Sequence, residues 1–270
     1  MSNDDYESGA PKQSLIETIK EEIVHLKWRV LIFCCFLTFG SYYIYDFPGA
    51  IGTGPDSTIQ AKFIAHGKKY TQEMNQLLYS VYSWPNTVLA VFGGLLIDKF
   101  LGLRKAMILF VILVTIGASL FYLGVLTMNF PLMVVARVIF GLGGESLSVA
   151  QSAFVARWFK DGRGLALAFG ITVSFSRVGS SFNFLFSPEI ATSHGIDTSV
   201  MCGMFACVFS LIACFVLVAC DVYGSKKGIV PPESKETSEP FRLTDITKLP
   251  FTVWLICGCC VFSYTAIFPF

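Results

Sequence analysis

The sequence predicts an all-α integral membrane protein, and three observations carry that prediction. The 270 residues are 54% hydrophobic and only 14% charged, where a soluble domain is about a quarter charged, and the mean hydropathy is +0.62. Seven apolar segments, near 28–46, 75–97, 106–127, 131–156, 164–187, 199–221 and 251–270, approach or exceed the roughly 20 residues that a crossing helix needs. Basic residues concentrate in every second connection between them, the pattern of a chain that alternates between two sides of a bilayer.

Taken in order, residues 1–27 are polar and mixed in charge, so they read as a tail and the first apolar segment as a retained anchor. Loop 47–72 carries Lys62, Lys68 and Lys69. The turn 98–105 carries Lys99, Arg104 and Lys105, and the turn at 128–130 has no charge. The turn 157–163 carries Arg157, Lys160 and Arg163, whereas the loop 188–198 has Glu189 and Asp197 but no Lys or Arg. The linker 222–250 is polar, with Lys226, Lys227, Lys235, Arg242 and Lys248. The second, fourth and sixth connections are thus expected in the cytosol together with the N-terminus. Loop 47–72 runs against the trend, but it is the longest connection on its side, and long loops follow the charge rule less strictly. Three closely linked spans, three more, a charged linker and a new span predict a six-helix bundle over 28–221 and the first helix of a second bundle at 251–270. Because Phe270 directly follows an apolar run, a truncated or shorter form of a longer protein is expected.

Several functions are disfavoured. A net charge of +1 gives no electrostatic footprint for nucleic acid. The nine cysteines fall in apolar runs rather than in polar loops, so no disulfide framework is expected. Cys257-Gly-Cys259-Cys260 reads as small-residue packing, since no neutral partner such as His stands nearby; no metal and no cofactor is expected. His25, His66 and His194 lie outside the spans, and no nucleophile–base pair stands inside them, so the chain does not read as an enzyme.

Two charges stand where hydrocarbon is expected. Glu145 and Arg177 lie within long apolar stretches, and a charge at that depth costs several kcal/mol unless it is paired or faces a polar cavity. Opposite signs on successive spans predict a cavity that holds a small zwitterion. Ser174, Arg177 and Ser181 fall at i, i+3 and i+7 and form one polar stripe on the fifth span, from which Asn183 is displaced. Pro85 frees the carbonyl of Val81, which predicts a kink in the second span, as a hinge or as a static bend. Asp46 ends the first span just before Pro48; it reads as a capped, lumen-facing carboxylate, with proton coupling as the alternative.

Two motifs carry a resemblance. Gly94-Leu-Leu-Ile-Asp98-Lys99-Phe-Leu-Gly102-Leu-Arg104-Lys105 resembles the signature loop of the major facilitator superfamily, with one extra residue before Gly102. Gly94 lets a neighbouring helix approach, and Asp98 is placed to accept from Arg104 and from a helix N-terminus. Arg137-Val-Ile-Phe-Gly141-Leu-Gly143-Gly144-Glu145 resembles the second signature, an Arg followed by a Gly-rich stretch in the fourth helix. Arg137 and Glu145 sit about 80° apart on that helix, so both can face the interior from different depths. Arg137 also reads simply as a structural cation satisfied by backbone carbonyls.

The strings Phe39-Gly-Ser-Tyr-Tyr-Ile-Tyr-Asp46, Ser83-Trp-Pro-Asn86, Gly93-Gly-Leu-Leu-Ile-Asp98, Gly143-Gly-Glu-Ser-Leu-Ser-Val-Ala-Gln151 and Ser176-Arg-Val-Gly-Ser180 resemble the family of major facilitator superfamily domain-containing protein 1, over residues 28–221. The resemblance implies twelve helices in two six-helix bundles, transport of dipeptides out of the lysosome, and a glycosylated accessory membrane protein as partner. It also implies an acidic dileucine signal; Leu15-Ile16 supplies the dileucine, with Pro11 where the family has an acid. No Asn-x-Ser/Thr sequon occurs, so this chain is expected to carry no N-glycan. By the same resemblance Glu145 takes the substrate's amino end and Arg177 its carboxylate through a planar two-bond pair, with Tyr42, Tyr43, Ser174 and Ser181 lining the pocket. The competing function is a membrane sensor or partner-binding protein that keeps the fold and moves nothing; the chain has no large soluble domain of the kind that would favour it.

Overall fold

The computed structural model describes residues 10–54, 56–96, 101–160, 164–230 and 250–267, with residues 10–23, 87–96, 264 and 267 described as backbone only. Every regular element among the described residues is a helix: α1 (Ala10–Leu37), α2 (Phe39–Tyr45), α3 (Phe47–Ile51), α4 (Ile59–Ala65), α5 (Gln72–Leu96), α6 (Leu103–Leu126), α7 (Phe130–Trp158), α8 (Leu165–His194), α9 (Ile196–Lys226) and α10 (Phe251–Ile267). Among the described residues five segments are long and apolar enough to cross a bilayer: Val24–Tyr45, Leu103–Leu126, Phe130–Trp158, Leu165–His194 and Ile196–Lys226. Helix α5 is 25 residues long, though the side chains of its last turns are outside the description. Helix α10 has 17 residues, lies in a unit of its own, residues 235–270, and exposes Phe251, Leu255 and Phe262.

The expected first span is a helix in two pieces, α1 and α2, that meet at Thr38. Helix α2 packs between α8 and α9, α6 packs on α7 and α9, and α5 packs on α7. Small residues on α7 permit this. A methyl group at Gly141 would stand 2.6 Å from the Tyr82 carbonyl oxygen on α5, and one at Gly143 would stand 2.6 Å from the Phe110 carbonyl oxygen on α6. Outward faces are apolar: Phe184, Leu185 and Phe186 on α8 are 51%, 68% and 48% exposed, a surface suited to lipid rather than water.

The connections expected on one side do meet. At one end Lys62 on α4 pairs with Asp197 on α9, and Lys68 donates to the carbonyls of Thr127 (3.4 Å) and Met128 (2.9 Å). Two of the three lysines that run against the charge rule are therefore satisfied by protein groups. Loop 47–72 is fastened elsewhere too: Asn75 donates to the Pro48 carbonyl (2.8 Å), Tyr70 donates to Asn75 (2.8 Å), and Gln60 donates to the Tyr70 carbonyl (3.1 Å). Burial holds the Tyr70 phenol above its ordinary pKa, so it stays a donor. At the other end Asp221, fully buried, accepts from Arg104, from Arg157 (3.0 Å) and from the Trp158 indole (2.7 Å). It ties the ends of α6, α7 and α9 together.

One local expectation changes. The loop expected at 188–198 is helical except at Gly195, whose φ of +89° marks the break between α8 and α9. Arg104 donates to Asp221 and to the Ser225 hydroxyl (2.6 Å), and its expected partner Asp98 lies outside the described residues. Asp98, Lys99, Arg163 and most of the linker, residues 231–249, lie outside the described residues, as does what surrounds Gly94.

Candidate functional site

The site is built where α2, α5, α7 and α8 come together. Glu145 on α7 is exposed on the open side of the helix, and its carboxylate Oε1 accepts from the Tyr82 hydroxyl of α5 at 3.2 Å. Tyr82 is buried, and its ring stands edge-on to Tyr45 with centroids 4.8 Å apart; Tyr45 also meets Tyr79 at 5.6 Å. Arg177 on α8 is exposed, with its guanidinium 5.2 Å above the Tyr42 ring, a cation–π contact that orients the planar fork without using its donors. Among the described residues neither charge forms an ion pair with the other. Asp46 stands at the junction of α2 and α3, and its side chain makes no capping hydrogen bond.

Of the residues expected at the site, Glu145, Arg177 and Tyr42 share this region. Ser174 and Ser181 are exposed on the same stripe of α8 as Arg177, and the Ser181 hydroxyl donates to the Arg177 carbonyl at 3.2 Å. Tyr43 faces the other way. It is 7% exposed, its hydroxyl lies 3.0 Å from that of Ser187, and it packs on Phe47. Asn183, displaced from the stripe in the sequence, is fully buried and accepts from Ser187.

Arg137 does not reach the site. It is 1% exposed, donates at 3.2 Å to the carbonyls of both Ile44 and Tyr45, and stacks 4.7 Å from Phe121. These are the last carbonyls of α2, which a helix leaves unsatisfied and which favour a cation. The structural reading of Arg137 is the one the geometry supports, and its effect on the site runs through α2. Gly141 serves as the close-approach position that its motif implies.

Sequence reasoning passed over Tyr82 and Tyr45. Both stand in or beside strings that carry the resemblance, and a run of three tyrosines in Tyr42, Tyr43 and Tyr45 places at least one on each face of a helix.

Comparison with known proteins agrees with the fold. The chain is 39% identical over 258 residues to "Lysosomal dipeptide transporter MFSD1" of Danio rerio, covering 91% of this chain and 53% of that protein. It is 40% identical over 251 residues to the protein of the same name in Homo sapiens, covering 89% and 51% respectively. The chain therefore spans about half the length of the curated relatives it matches. A crystal structure of the peptide transporter POT in complex with alafosfalin superposes with a TM-score of 0.54 at 16% identity, over 88% of this chain and 46% of that one, a likeness of fold. The pattern of the Major Facilitator Superfamily matches residues 31–270. The chain belongs to that superfamily.

Proposed function

We propose that this chain forms the first half of a transporter that moves dipeptides out of the lysosome, with the substrate held between Glu145 and Arg177. The observation that supports this most is a pair of opposite charges on α7 and α8, uncommitted to each other and each held beside a tyrosine, Glu145 by Tyr82 and Arg177 by Tyr42. The ammonium of a free dipeptide meets the Glu145 carboxylate, and its carboxylate meets the Arg177 fork. Tyr42 and Tyr82 hold the two heads in place, and Ser174 and Ser181 extend the polar face. The relatives named as lysosomal dipeptide transporters support the substrate class and the compartment. The basic turns support a cytosolic N-terminus, and a glycosylated accessory protein remains the expected partner.

Alternating access needs a second bundle to rock against the first, so activity is assigned to a form that carries both, with Gly94, Asp98 and Arg104 at the turn between α5 and α6. In this reading α10 opens the second bundle, and α5 completes six spans in the first.

The test is uptake of free, N-acetylated and C-amidated dipeptides by wild type, Glu145→Gln and Arg177→Lys. Blocking either end of the peptide weakens wild-type uptake. Glu145→Gln shrinks the penalty for N-acetylation, and Arg177→Lys still impairs uptake because the planar fork is lost. Wild-type transport of free dipeptides by both variants would refute the site.

A further inference from the structure

Helix α2 carries Tyr42, and it is held at both ends by side chains from other helices. At its far end the carbonyls of Ile44 and Tyr45 rest on Arg137 of α7. At its near end the chain does not run on directly from α1. In a continuous α-helix the Gly40 amide would donate to the Phe36 carbonyl four residues back. Here the Ser210 hydroxyl of α9 stands between them: it accepts from the Gly40 amide at 3.0 Å and donates to the Phe36 carbonyl at 2.8 Å. A hydroxyl has one donor and two acceptor positions, so one serine meets both needs. A side chain inserted into the ladder is one of the few causes of a sharp bend in a helix.

The surroundings are shaped for this insertion. A methyl group at Gly40 would lie 2.5 Å from the Ala206 carbonyl oxygen of α9, so the missing side chain at position 40 is what lets α9 come near enough. Ser210 is 1% exposed. At the break itself the Thr38 hydroxyl lies 2.8 Å from the Ser176 hydroxyl of α8 and donates to Gln151 of α7 at 3.4 Å. From α8, Ser180 donates to the Tyr42 carbonyl at 3.4 Å, and Arg177 stacks on the Tyr42 ring.

We propose that Ser210 is a positioning residue for the candidate site: its hydroxyl, wedged between Phe36 and Gly40, sets the direction of α2 and so places Tyr42 under Arg177. The inference rests on the reading of the Glu145–Arg177 site above. Ser210 touches none of the charged heads, so its effect runs through α2 alone.

The experiment uses the longest expressed form of the protein, with Ser210→Ala and Ser210→Thr compared with wild type and Glu145→Gln. Two quantities are read: the course of the first span by cryo-electron microscopy, and KM with maximal rate for uptake of radiolabelled Ala-Ala. In Ser210→Ala the Phe36 carbonyl and Gly40 amide bond directly and the span straightens. Its KM rises about tenfold, as small displacements of positioning groups do, while the maximal rate and the folded yield hold. Ser210→Thr keeps the hydroxyl, the bend and the wild-type KM. If Ser210→Ala does not accumulate, Ser210→Cys carries the comparison, and its weaker donor gives a KM above wild type. An unchanged bend in the variant overturns the proposal. So does a straightened span with unchanged KM where Glu145→Gln raises it. If the span straightens and neither variant changes KM, the site reading itself fails, and with it the positioning role.

Discussion

The Tyr82 hydroxyl donates to Glu145 at 3.2 Å across α5 and α7, and two glycines of α7 give it room. A methyl group at Gly144 would stand 2.8 Å from that hydroxyl, and one at Gly141 would stand 2.6 Å from the Tyr82 backbone carbonyl. The phenol thus lies across a small-residue cradle, and the acid it serves is turned toward open space.

Tyr82→Phe keeps the ring against Tyr45 and deletes the bond to Glu145. A hydrogen bond to a charged group contributes about 1.5 kcal/mol, so KM for free dipeptides is expected to rise roughly tenfold. The melting temperature of the purified protein stays near wild type, because an exposed carboxylate recovers water. Uptake kinetics and a thermal melt check both halves of the statement.

Gly141→Ala and Gly144→Ala separate two kinds of crowding. The first meets backbone, so α5 must move away from α7, at a cost of about 1–3 kcal/mol. The second meets only the far end of a side chain, so the protein stays folded while the Tyr82 hydroxyl shifts from Glu145. A lowered melting temperature for Gly141→Ala and raised KM with unchanged melting for Gly144→Ala is the expected pattern.

Asp221→Ala removes the acceptor shared by Arg104, Arg157 and Trp158. Breaking a buried pair on one side costs about 3–5 kcal/mol. The arginine side chains are 22% and 13% exposed and recover some water, which puts the expected loss near the lower end, about 3 kcal/mol. Thermal unfolding in detergent reads it. Asp221→Asn, which keeps acceptor oxygen and shape, loses less.

Orientation is tested at Lys105, which is exposed at the start of α6. Gly102 is a poorer choice because its φ of +71° strains any side chain. A cysteine at 105 is expected to react with an impermeant thiol reagent added from the cytosolic side and to resist it from the lumenal side. Labelling from the lumen would reverse the proposed topology.

The fold was largely legible because length and hydropathy decide it. The spans expected at 106–127 and 131–156 correspond to α6 (Leu103–Leu126) and α7 (Phe130–Trp158). Polar residues misled at 188–198. There the hydroxyls of Thr192 and Ser193 donate to the Glu189 carbonyl, and Thr198 donates to the His194 carbonyl. Back-bonding of this kind lets Ser and Thr stay within a helix, and nothing in their spacing announces it. At the candidate site, a charge inside an apolar run is enough to single out Glu145 and Arg177 as candidates. Tyr43 and Tyr45 were not separable in the same way, because the break at Thr38 resets which face of α2 each one occupies. That break is made by Ser210, which lies 170 residues from Gly40.

The fastened loop at 47–72 bears on survival as much as on shape. A protease works on backbone that it can draw out into its cleft, and local opening sets how often such backbone is offered. Here Lys62 is latched to Asp197, Lys68 to the turn before α7, Gln60 to the Tyr70 carbonyl and Asn75 to Pro48. In the proposed orientation this stretch faces a lumen full of hydrolases, and each latch must open before a scissile bond is presented. In that proposed setting the lysines that run against the charge rule, Lys62 and Lys68, also shield the loop from digestion.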